Sequence, residues 1–424
     1  MMEYITTELW DNMHYLFRDF NDRMVHVALE YPYQIDAEKF KTVLLCFLEK
    51  APVLHASFQD NGFKTYWKVE PYHMDEVLTV AYPNDIEKAE EKFLLQTILP
   101  QEHLQLKAAL LYHENKTTLC LLVNHMCMDG GDLKYFLYTL AQEYSAYVEE
   151  GKSPIGLRVG DRSFETVYEN FSPEDQKAAK HLYKNVCSKD RHAFPLTEPH
   201  KTDTAFMVRR KIDAKTFLKL KAVGKAQGAT VNDVFTTAYL DSLYTLLNLP
   251  KDEPLSVSCA MDLRRYKATT EQDGLTNHTA FMQCPISKQH ASILEMLSEV
   301  QEKTKEAKSQ KFTGLYGLPL LKACYQYLPH AMGETLIKIG YRNPLLSMSN
   351  IGVLDAQKLA LCGVEPCDGY MTGAVKYKPF VLLSVTTMHN VATFSMCCKG
   401  NEADKKTVEN FMDLLEESLQ KFLA

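Results

Sequence analysis

Asn124-His125-Met126-Cys127-Met128-Asp129-Gly130 separates two segments of different periodicity. The short apolar run from Thr118 to Val123 precedes it and predicts a strand buried in a sheet. After the heptapeptide, apolar side chains recur at the spacing of an amphipathic helix: Leu133, Phe136, Leu137, Leu140, Tyr144 and Tyr147. The heptapeptide is therefore predicted to be the turn between a strand end and a helix. Such turns present side chains from a fixed scaffold to a crevice.

The residue types in this turn suggest chemistry. His125 could accept a proton from a hydroxyl or amine near neutral pH, or it could be a structural histidine. Asp129 could pair with an arginine, or cap the helix by accepting backbone N–H bonds. Gly130 allows a tight bend without a Cβ clash. A helical metal-ligand pair is disfavoured, because the preceding strand and Gly130-Gly131 argue against a continuous helix.

Taken with its surroundings, the turn resembles the His-His-x-x-x-Asp-Gly signature of the chloramphenicol acetyltransferase-like superfamily. That group includes peptide-synthetase condensation domains, plant acyltransferases and alcohol O-acetyltransferases. Further segments resemble superfamily landmarks in the same order over nearly the whole chain: Ala37 to Phe58, Gln227 to Val234, Met261-Asp262-Leu263-Arg264-Arg265, Leu275-Thr276-Asn277 and Ser349-Asn350-Ile351-Gly352.

The resemblance implies an α/β fold of mixed sheets, a two-lobe sandwich with a tunnel between the lobes. An acyl thioester and its acceptor would enter this tunnel from opposite faces. His125 would be the general base that accepts the acceptor's proton. Asp129 would point away from the substrate and pair with Arg264, and Arg265 is the alternative partner.

Other positions receive roles from the same resemblance. Asp262 and Asn277 are expected to orient the site, and Gly130 to bring a backbone N–H close to it. Ser349 or Asn350 could donate a hydrogen bond to the oxyanion of the tetrahedral intermediate, or could simply form a polar strand end.

The sequence also departs from the family pattern. Asn124 replaces the first histidine of the doubled pair, and Thr276 stands where glycine is frequent. The family uses the second histidine for chemistry, and that residue is present as His125. The Asp-Phe-Gly-Trp-Gly stretch of the plant branch does not occur, which favours the bacterial or fungal branches.

The chain divides into two halves without repeats. We predict a first lobe over residues 1–188, a crossover over 189–204 that contains Pro195 and Pro199, and a second lobe over 205–424. Ser172 and Pro173 are expected to start a helix near the end of the first lobe. Predicted elements of the second lobe are strands at 205–212, 255–261 and 380–388 and helices at 214–224 and 405–422.

Composition excludes several classes of protein. Hydrophobic residues make up 46% of the 424 positions and the net charge is −7, as in ordinary globular proteins without an affinity for nucleic acid. No apolar stretch approaches the roughly 18 residues that a membrane span requires. The N-terminus lacks the features of a signal peptide, and the 11 cysteines suit reduced, mostly buried thiols, so a cytoplasmic location is expected. Cys127 is interpreted as a small buried filler and not as a nucleophile.

Nucleotide-binding and zinc motifs do not occur, so no bound cofactor and no metal are expected. Lysines around the start of the second half could contact coenzyme A phosphates or an acidic carrier protein: Lys211, Lys215, Lys219, Lys221 and Lys225. We favour a solvated helix face for them, and the same interpretation for Lys376 and Lys378.

The sequence is therefore interpreted as an acyltransferase. Acyl-coenzyme A is the expected co-substrate, and a small-molecule alcohol or amine the expected acceptor. Two alternatives stay open at this stage. The chain could be a condensation domain that forms amides and uses an acyl carrier protein as partner, or a non-catalytic binding module of the same fold.

Overall fold

The computed structural model describes residues 3–183, 189–267, 275 and 277–424. Two predicted landmarks, the lobe boundary at Ser188 and the departure at Thr276, lie outside these residues. The strands are β1 (Tyr4–Thr6), β2 (Met24–Tyr31), β3 (Ala56–Asp60), β4 (Thr65–Val69), β5 (Leu78–Ala81), β6 (Leu106–His113), β7 (Lys116–Asn124), β8 (Thr204–Ile212), β9 (Leu255–Asp262), β10 (Thr279–Ile286), β11 (Leu346–Val353), β12 (Asp368–Thr372), β13 (Lys376–Tyr377), β14 (Val381–Met388) and β15 (Val391–Gly400).

The α-helices alternate irregularly with these strands. They are α1 (Leu9–Leu16), α2 (Ala37–Lys50), α3 (Met74–Val77), α4 (Ile86–Leu94), α5 (Gly130–Glu150), α6 (Pro173–Ala179), α7 (Ala214–Ala226), α8 (Val231–Leu246), α9 (Ile293–Ser309), α10 (Leu318–Tyr327), α11 (His330–Gly340) and α12 (Glu402–Gln420). Short 3-10 helices lie at Phe17–Asp19, Pro52–His55, Phe164–Tyr168 and Leu263–Tyr266.

Three sheets organise the part of the chain that the structure describes. A small antiparallel sheet has the order β1-β4-β3, and the main sheet of the first half has the order β12-β2-β7-β6-β5. The second half builds a sheet of order β10-β9-β11-β14-β15-β13, with β8 also paired to β15. Both larger sheets mix parallel and antiparallel pairs, so the predicted fold class of mixed sheets is confirmed.

The predicted elements appear within a few residues of their expected bounds. The strand before the turn is β7, and the helix after it is α5, whose apolar stripe is buried from Leu133 to Tyr144. Ser172 accepts a hydrogen bond from the N–H of Asp175, and Pro173 begins α6 as predicted. These agreements follow from periodicity and capping, which are local properties of the sequence.

In the described part of the chain each half has its own large apolar core, and two smaller cores join the halves. One of them packs α1 and the segment around Phe164 and Tyr168 against Leu263, Leu318 and Ile337 of the second half. The other packs Met24 and Ala28 of β2 against Met207 of β8 and Cys397 of β15.

One strand departs from the predicted division of the chain. β12 belongs by sequence to the second half, yet it pairs antiparallel with β2 as the edge strand of the first-half sheet. Leu354, Leu359 and Leu361, which precede it, pack into the first-half core. The first lobe is therefore completed by residues from the range 205–424.

Candidate active site

The turn between β7 and α5 places His125 at a strand end. Its backbone N–H donates to the carbonyl oxygen of Arg23 at 2.7 Å, beside the paired ends of β2 and β7. Asn124 lies fully buried just before it and donates from Nδ2 to Oε1 of Gln105 at 2.7 Å. Asn124, which replaces the first histidine of the family motif, therefore has a structural role.

The imidazole of His125 is half-buried between the lobes. Its ring stacks on that of His14 from α1, with centroids 4.2 Å apart and planes inclined by 22°. Asn277 donates from Nδ2 to the carbonyl oxygen of His125. Asn277 was predicted from the sequence as an orienting residue, whereas His14 was not.

The same amide nitrogen of Asn277 lies 3.5 Å from Nδ1 of the His125 imidazole. Within the described residues no hydrogen bond engages Nε2. Burial lowers the pKa of His125, Asp129 partly opposes this effect, and Lys376 adds to it. The imidazole is therefore neutral near pH 7 and can accept a proton.

Asp129 combines the two roles that the sequence left open. Its Oδ1 caps α5 by accepting from the N–H groups of Gly131 at 2.9 Å and Asp132 at 3.0 Å. Its Oδ2 accepts from Nη1 of Arg264 at 2.9 Å and from the N–H of His278 at 2.8 Å. Burial alone would raise the pKa of Asp129, but Arg264 and these N–H groups outweigh it and hold the pKa at about 2.

Arg264 contacts two further carboxylates. Its Nη2 lies 2.6 Å from Oδ1 of the fully buried Asp132, and its Nη1 lies 3.1 Å from Oδ1 of Asp262. Burial alone would lower the pKa of Arg264, but the carboxylates of Asp129, Asp132 and Asp262 raise it strongly. The alternative partner, Arg265, is exposed and donates instead to the carbonyl oxygen of Lys308. Asp132 was not singled out from the sequence, although its position three residues after the cap places it in the first turn.

Gly130 is the first residue of α5, and its backbone does not require glycine. A Cβ built there would meet only Cγ2 of Ile351, at an ordinary 3.8 Å. The expectation of a sterically tight bend therefore has no counterpart in the structure. Lys134, one turn later, donates from Nζ to the carbonyl oxygen of Ile351 at 2.9 Å and connects α5 to β11.

The two oxyanion candidates on β11 differ in their surroundings. The amide of Asn350 is engaged, since Nδ2 donates to Oδ1 of Asn232 and Oδ1 accepts the N–H of Gly352. Ser349 points to the other face of the strand, and its hydroxyl makes no hydrogen bond within the described residues. The Ser349 hydroxyl is therefore available to a ligand, and Nδ2 of Asn350 keeps a second hydrogen besides the one donated to Asn232.

Two other predictions concern residues near the turn. Cys127 is fully buried and burial raises the pKa of its thiol strongly, which suits packing and not nucleophilic attack. The prediction that Lys376 and Lys378 are solvated is wrong. Lys376 is half-buried, and the side chain of Lys378 is only 3% exposed and lies between the carboxylates of Asp203 and Asp404.

An apolar cavity of about 330 Å³ lies at the junction of the lobes. Its walls come from α1, β9, β10, α10 and α11, and they include Trp10, Met13, Phe17, Ala280, Leu321 and Ile337. His14, which stacks on His125, lies on α1 between Met13 and Phe17, and its ring packs edge-on against Phe17. Helix α1 therefore lines the cavity and also contacts the imidazole of His125.

Comparison with known proteins identifies the fold. Residues 275–422 match a family described as the WS/DGAT C-terminal domain. No curated protein matches the chain in sequence. None of the described helices is long and apolar enough to cross a membrane.

Solved structures resemble the chain over its whole length. Polyketide synthase associated protein 5 from Mycobacterium tuberculosis superposes with a TM-score of 0.69 at 15% identity, covering 99% of this chain and 100% of its own. The first condensation domain of the calcium-dependent antibiotic synthetase gives 0.70 at 13% identity, covering 99% and 95%. Trichothecene 15-O-acetyltransferase from Fusarium sporotrichioides gives 0.68 at 12% identity, covering 99% and 95%.

These comparisons confirm the resemblance read from the sequence. The chain has the fold of the chloramphenicol acetyltransferase-like superfamily, a fold shared by acyltransferases and condensation domains.

Proposed function

We propose that the protein is an acyltransferase that moves an acyl group from a coenzyme A thioester to a hydroxyl or amine of a small molecule. One observation carries this proposal. A neutral, half-buried histidine lies at the lobe junction with its Nε2 not engaged in a hydrogen bond by any described residue, and its turn is held by a buried Asp129–Arg264 ion pair. Proton abstraction requires such a base, and no charged partner competes for it within the described residues.

The chemistry follows from this geometry. Nε2 of His125 accepts the proton of the acceptor as its oxygen or nitrogen forms a bond to the thioester carbon. The resulting oxyanion needs a hydrogen-bond donor, for which the Ser349 hydroxyl and the Gly130 N–H are our candidates. When the tetrahedral intermediate collapses, the C–S bond breaks and protonated His125 returns its proton to the thiolate.

The cavity supports a donor with an apolar acyl chain. Its walls are almost wholly hydrocarbon and aromatic, with Arg342 as the charged residue among them. A volume of about 330 Å³ accommodates a medium-sized alkyl chain, whose burial is favourable by about 0.8 kcal/mol per methylene.

A thiol-release assay tests the proposal. Acyl-coenzyme A donors of increasing chain length are combined with a panel of alcohols and amines, and free thiol is measured over time. We expect acceptor-dependent thiol release in the wild-type protein and none with His125→Ala. Absence of release with every donor and acceptor would count against the proposal.

The second candidate is a carrier-dependent condensation reaction. It is favoured by the likeness to the condensation domain of the calcium-dependent antibiotic synthetase. Release from an acylated carrier protein, with no release from the matching acyl-coenzyme A, would support this candidate. Binding of either thioester without turnover would instead support the non-catalytic module.

A further inference from the structure

Arg23 is a buried cation for which the described residues provide no acceptor. Only 4% of the residue is exposed, and its Nε is buried without a hydrogen-bond partner. Across residues 3–183, 189–267, 275 and 277–424, no carboxylate lies within ion-pair distance of its guanidinium. A buried charge without a partner is costly, so a protein that retains one needs a compensating role for it.

The backbone of Arg23 is held in a rarely populated conformation beside the proposed catalytic base. Its φ is 63°, in the left-handed region that non-glycine residues seldom adopt. Its N–H donates to Oδ1 of Asn21 at 2.8 Å, while its carbonyl oxygen accepts the N–H of His125 at 2.7 Å. The residue is therefore fixed next to His125 by contacts that do not involve its own side chain.

Lys376 is a second cation in this neighbourhood. It forms a β-bridge with Asn21. The adjacent residues are paired as well: the N–H of Asp22 donates to the carbonyl oxygen of Val375, and the N–H of Val375 donates to Oδ1 of Asp22. Its ammonium makes no ion pair within the described residues, and burial lowers its pKa to about 8 although Asp22 opposes this. His14 experiences the charges of both Lys376 and Arg23, and His125 experiences that of Lys376.

Asp22 is the acidic group between these cations, but it does not neutralise them. Its Oδ1 accepts from the N–H groups of Met24 at 3.0 Å and Val375 at 2.9 Å. Its Oδ2 has no hydrogen-bond partner within the described residues, and burial raises its pKa to about 7. Neither cation lies within 4.0 Å of its carboxylate oxygens. Within the described residues, neither Arg23 nor Lys376 therefore has a carboxylate as an ion-pair partner.

We propose that Arg23 and Lys376 form a pocket for an oxyanion group, a carboxylate or a phosphate, carried by the acyl acceptor. This inference rests on the proposed function and narrows its acceptor class to molecules with an attacking hydroxyl or amine close to an anionic group. The apolar cavity does not include Arg23 or Lys376 among its walls, so the acyl chain and the anionic group occupy different places. Binding of the anion supplies the partner that the buried guanidinium lacks.

Binding of simple anions tests the pocket independently of turnover. The melting temperature of the wild-type protein is measured in acetate, in inorganic phosphate and in chloride at equal ionic strength. We expect acetate or phosphate to raise it above the value in chloride, because a ligand that binds the folded state stabilises it. The rise should be lost in Arg23→Gln and Lys376→Gln. It should remain in Lys211→Gln, which removes a charge from an exposed lysine paired with Asp368.

Arg23→Gln is expected to fold well, because it removes an uncompensated buried charge. Its melting temperature in chloride should equal or exceed that of the wild type. An anion response that persists unchanged in Arg23→Gln, or no response in the wild type, would overturn the pocket. A response to acetate alone would identify a carboxylate, and one to phosphate alone a phosphate.

Turnover gives a second test. Hydroxy acids are compared with their methyl esters as acceptors in the thiol-release assay, together with the corresponding hydroxyalkyl phosphates. Since hydrogen bonds to charged groups contribute about 1.5–3 kcal/mol, the anionic acceptor should have a KM lower by about 10- to 100-fold. That advantage should disappear in Arg23→Gln with kcat less affected. Thiol release that does not distinguish acid from ester would overturn the acceptor class while leaving acyl transfer itself established.

Discussion

The guanidinium of Arg264 and the carboxylate of Asp129 are 135 positions apart in sequence and meet at 2.9 Å at the first turn of α5. The same carboxylate caps that helix, and the helix begins five residues after His125. The position of the imidazole is therefore coupled to an ion pair that joins the two halves of the chain.

Asp129→Asn and Arg264→Ala should each lower the free energy of unfolding and reduce turnover. Breaking a buried ion pair by removing one partner costs about 3–5 kcal/mol, because the other charge stays buried without compensation. Denaturant unfolding of both single variants and the double variant forms a thermodynamic cycle. We expect the double variant to lose less than the sum of the singles. Arg265→Ala is the matched control, since this neighbouring arginine is exposed; full additivity would show that Asp129 and Arg264 do not interact energetically.

His125→Ala should remove acyl transfer while leaving the fold intact. Loss of a general base lowers turnover by about 10²–10⁴-fold, and the half-buried imidazole contributes few contacts to either core. Turnover is measured by thiol release and stability by the melting temperature. His103→Ala, at a partly exposed histidine paired with Glu76, should change neither quantity. Near wild-type turnover in His125→Ala would refute the role of general base.

The pH profile of kcat/KM should respond in opposite directions to two substitutions. Activity requires neutral His125, whose pKa is lowered in the folded protein, so the acidic limb should lie below the ordinary value of about 6.5. Asp129 raises the pKa of His125, so Asp129→Asn should move the limb to lower pH. Lys376 lowers that pKa, so Lys376→Gln should move the limb to higher pH. Shifts in the same direction would contradict the assignment of this limb to His125.

Acidification should also reduce stability through the same group. The folded protein binds fewer protons at His125 than the unfolded chain does, from about pH 6.5 down to the lowered pKa. The free energy of unfolding should therefore fall as the pH drops through this window. His125→Ala should show a smaller decrease over the same range in denaturant unfolding. An identical decrease in both proteins would assign the effect to other groups, such as the buried His14 and His278.

Acyl-coenzyme A should raise the melting temperature more than the matching acyl-pantetheine does. A ligand at a hundredfold excess over its dissociation constant stabilises the folded state by about 2.7 kcal/mol. The nucleotide phosphates add contacts that acyl-pantetheine lacks. Equal shifts would show that the phosphates are not recognised. Binding of an acylated carrier protein in place of both would favour the condensation reaction.

Filling the cavity should discriminate between donors by chain length. Gly340 lines the cavity, and a Cβ at this position meets no atom within 4 Å. Gly340→Leu should therefore narrow the cavity without a clash and lower kcat/KM for long acyl chains more than for acetyl. The acetyl donor serves as the internal control. A uniform decrease for all chain lengths would place the acyl chain elsewhere.

The sequence predicts the local elements well because periodicity and capping act over a few residues. The strand, turn and helix around His125 have the expected order, and Ser172 caps α6. The arginine that contacts Asp129 was predicted through the family resemblance, since spacing alone does not separate Arg264 from Arg265. The contacts are consistent with both roles considered for Asp129, because its two carboxylate oxygens act separately.

Residues that approach the site from distant parts of the chain were not predicted. His14 lies on a helix whose residues are all buried, so nothing in its local pattern marks the stack on His125. Arg23 precedes β2 in a segment without periodicity, and only the three-dimensional structure shows that no described residue accepts a hydrogen bond from its Nε. Lys376 was interpreted as solvated. It lies in the two-residue strand β13, and the residues that flank this strand do not indicate which other strands pack around it.

The pairing of β12 with β2 has a consequence for synthesis of the chain. A growing polypeptide can form β2, β7, β6 and β5 early, but the outer edge of β2 remains open until residues 368–372 have left the ribosome. Exposed strand edges are sites of misassociation with other chains. During most of translation the sheet of the first half therefore lacks its edge strand β12. A chaperone that covers the open edge of β2 would be most useful before residues 368–372 emerge.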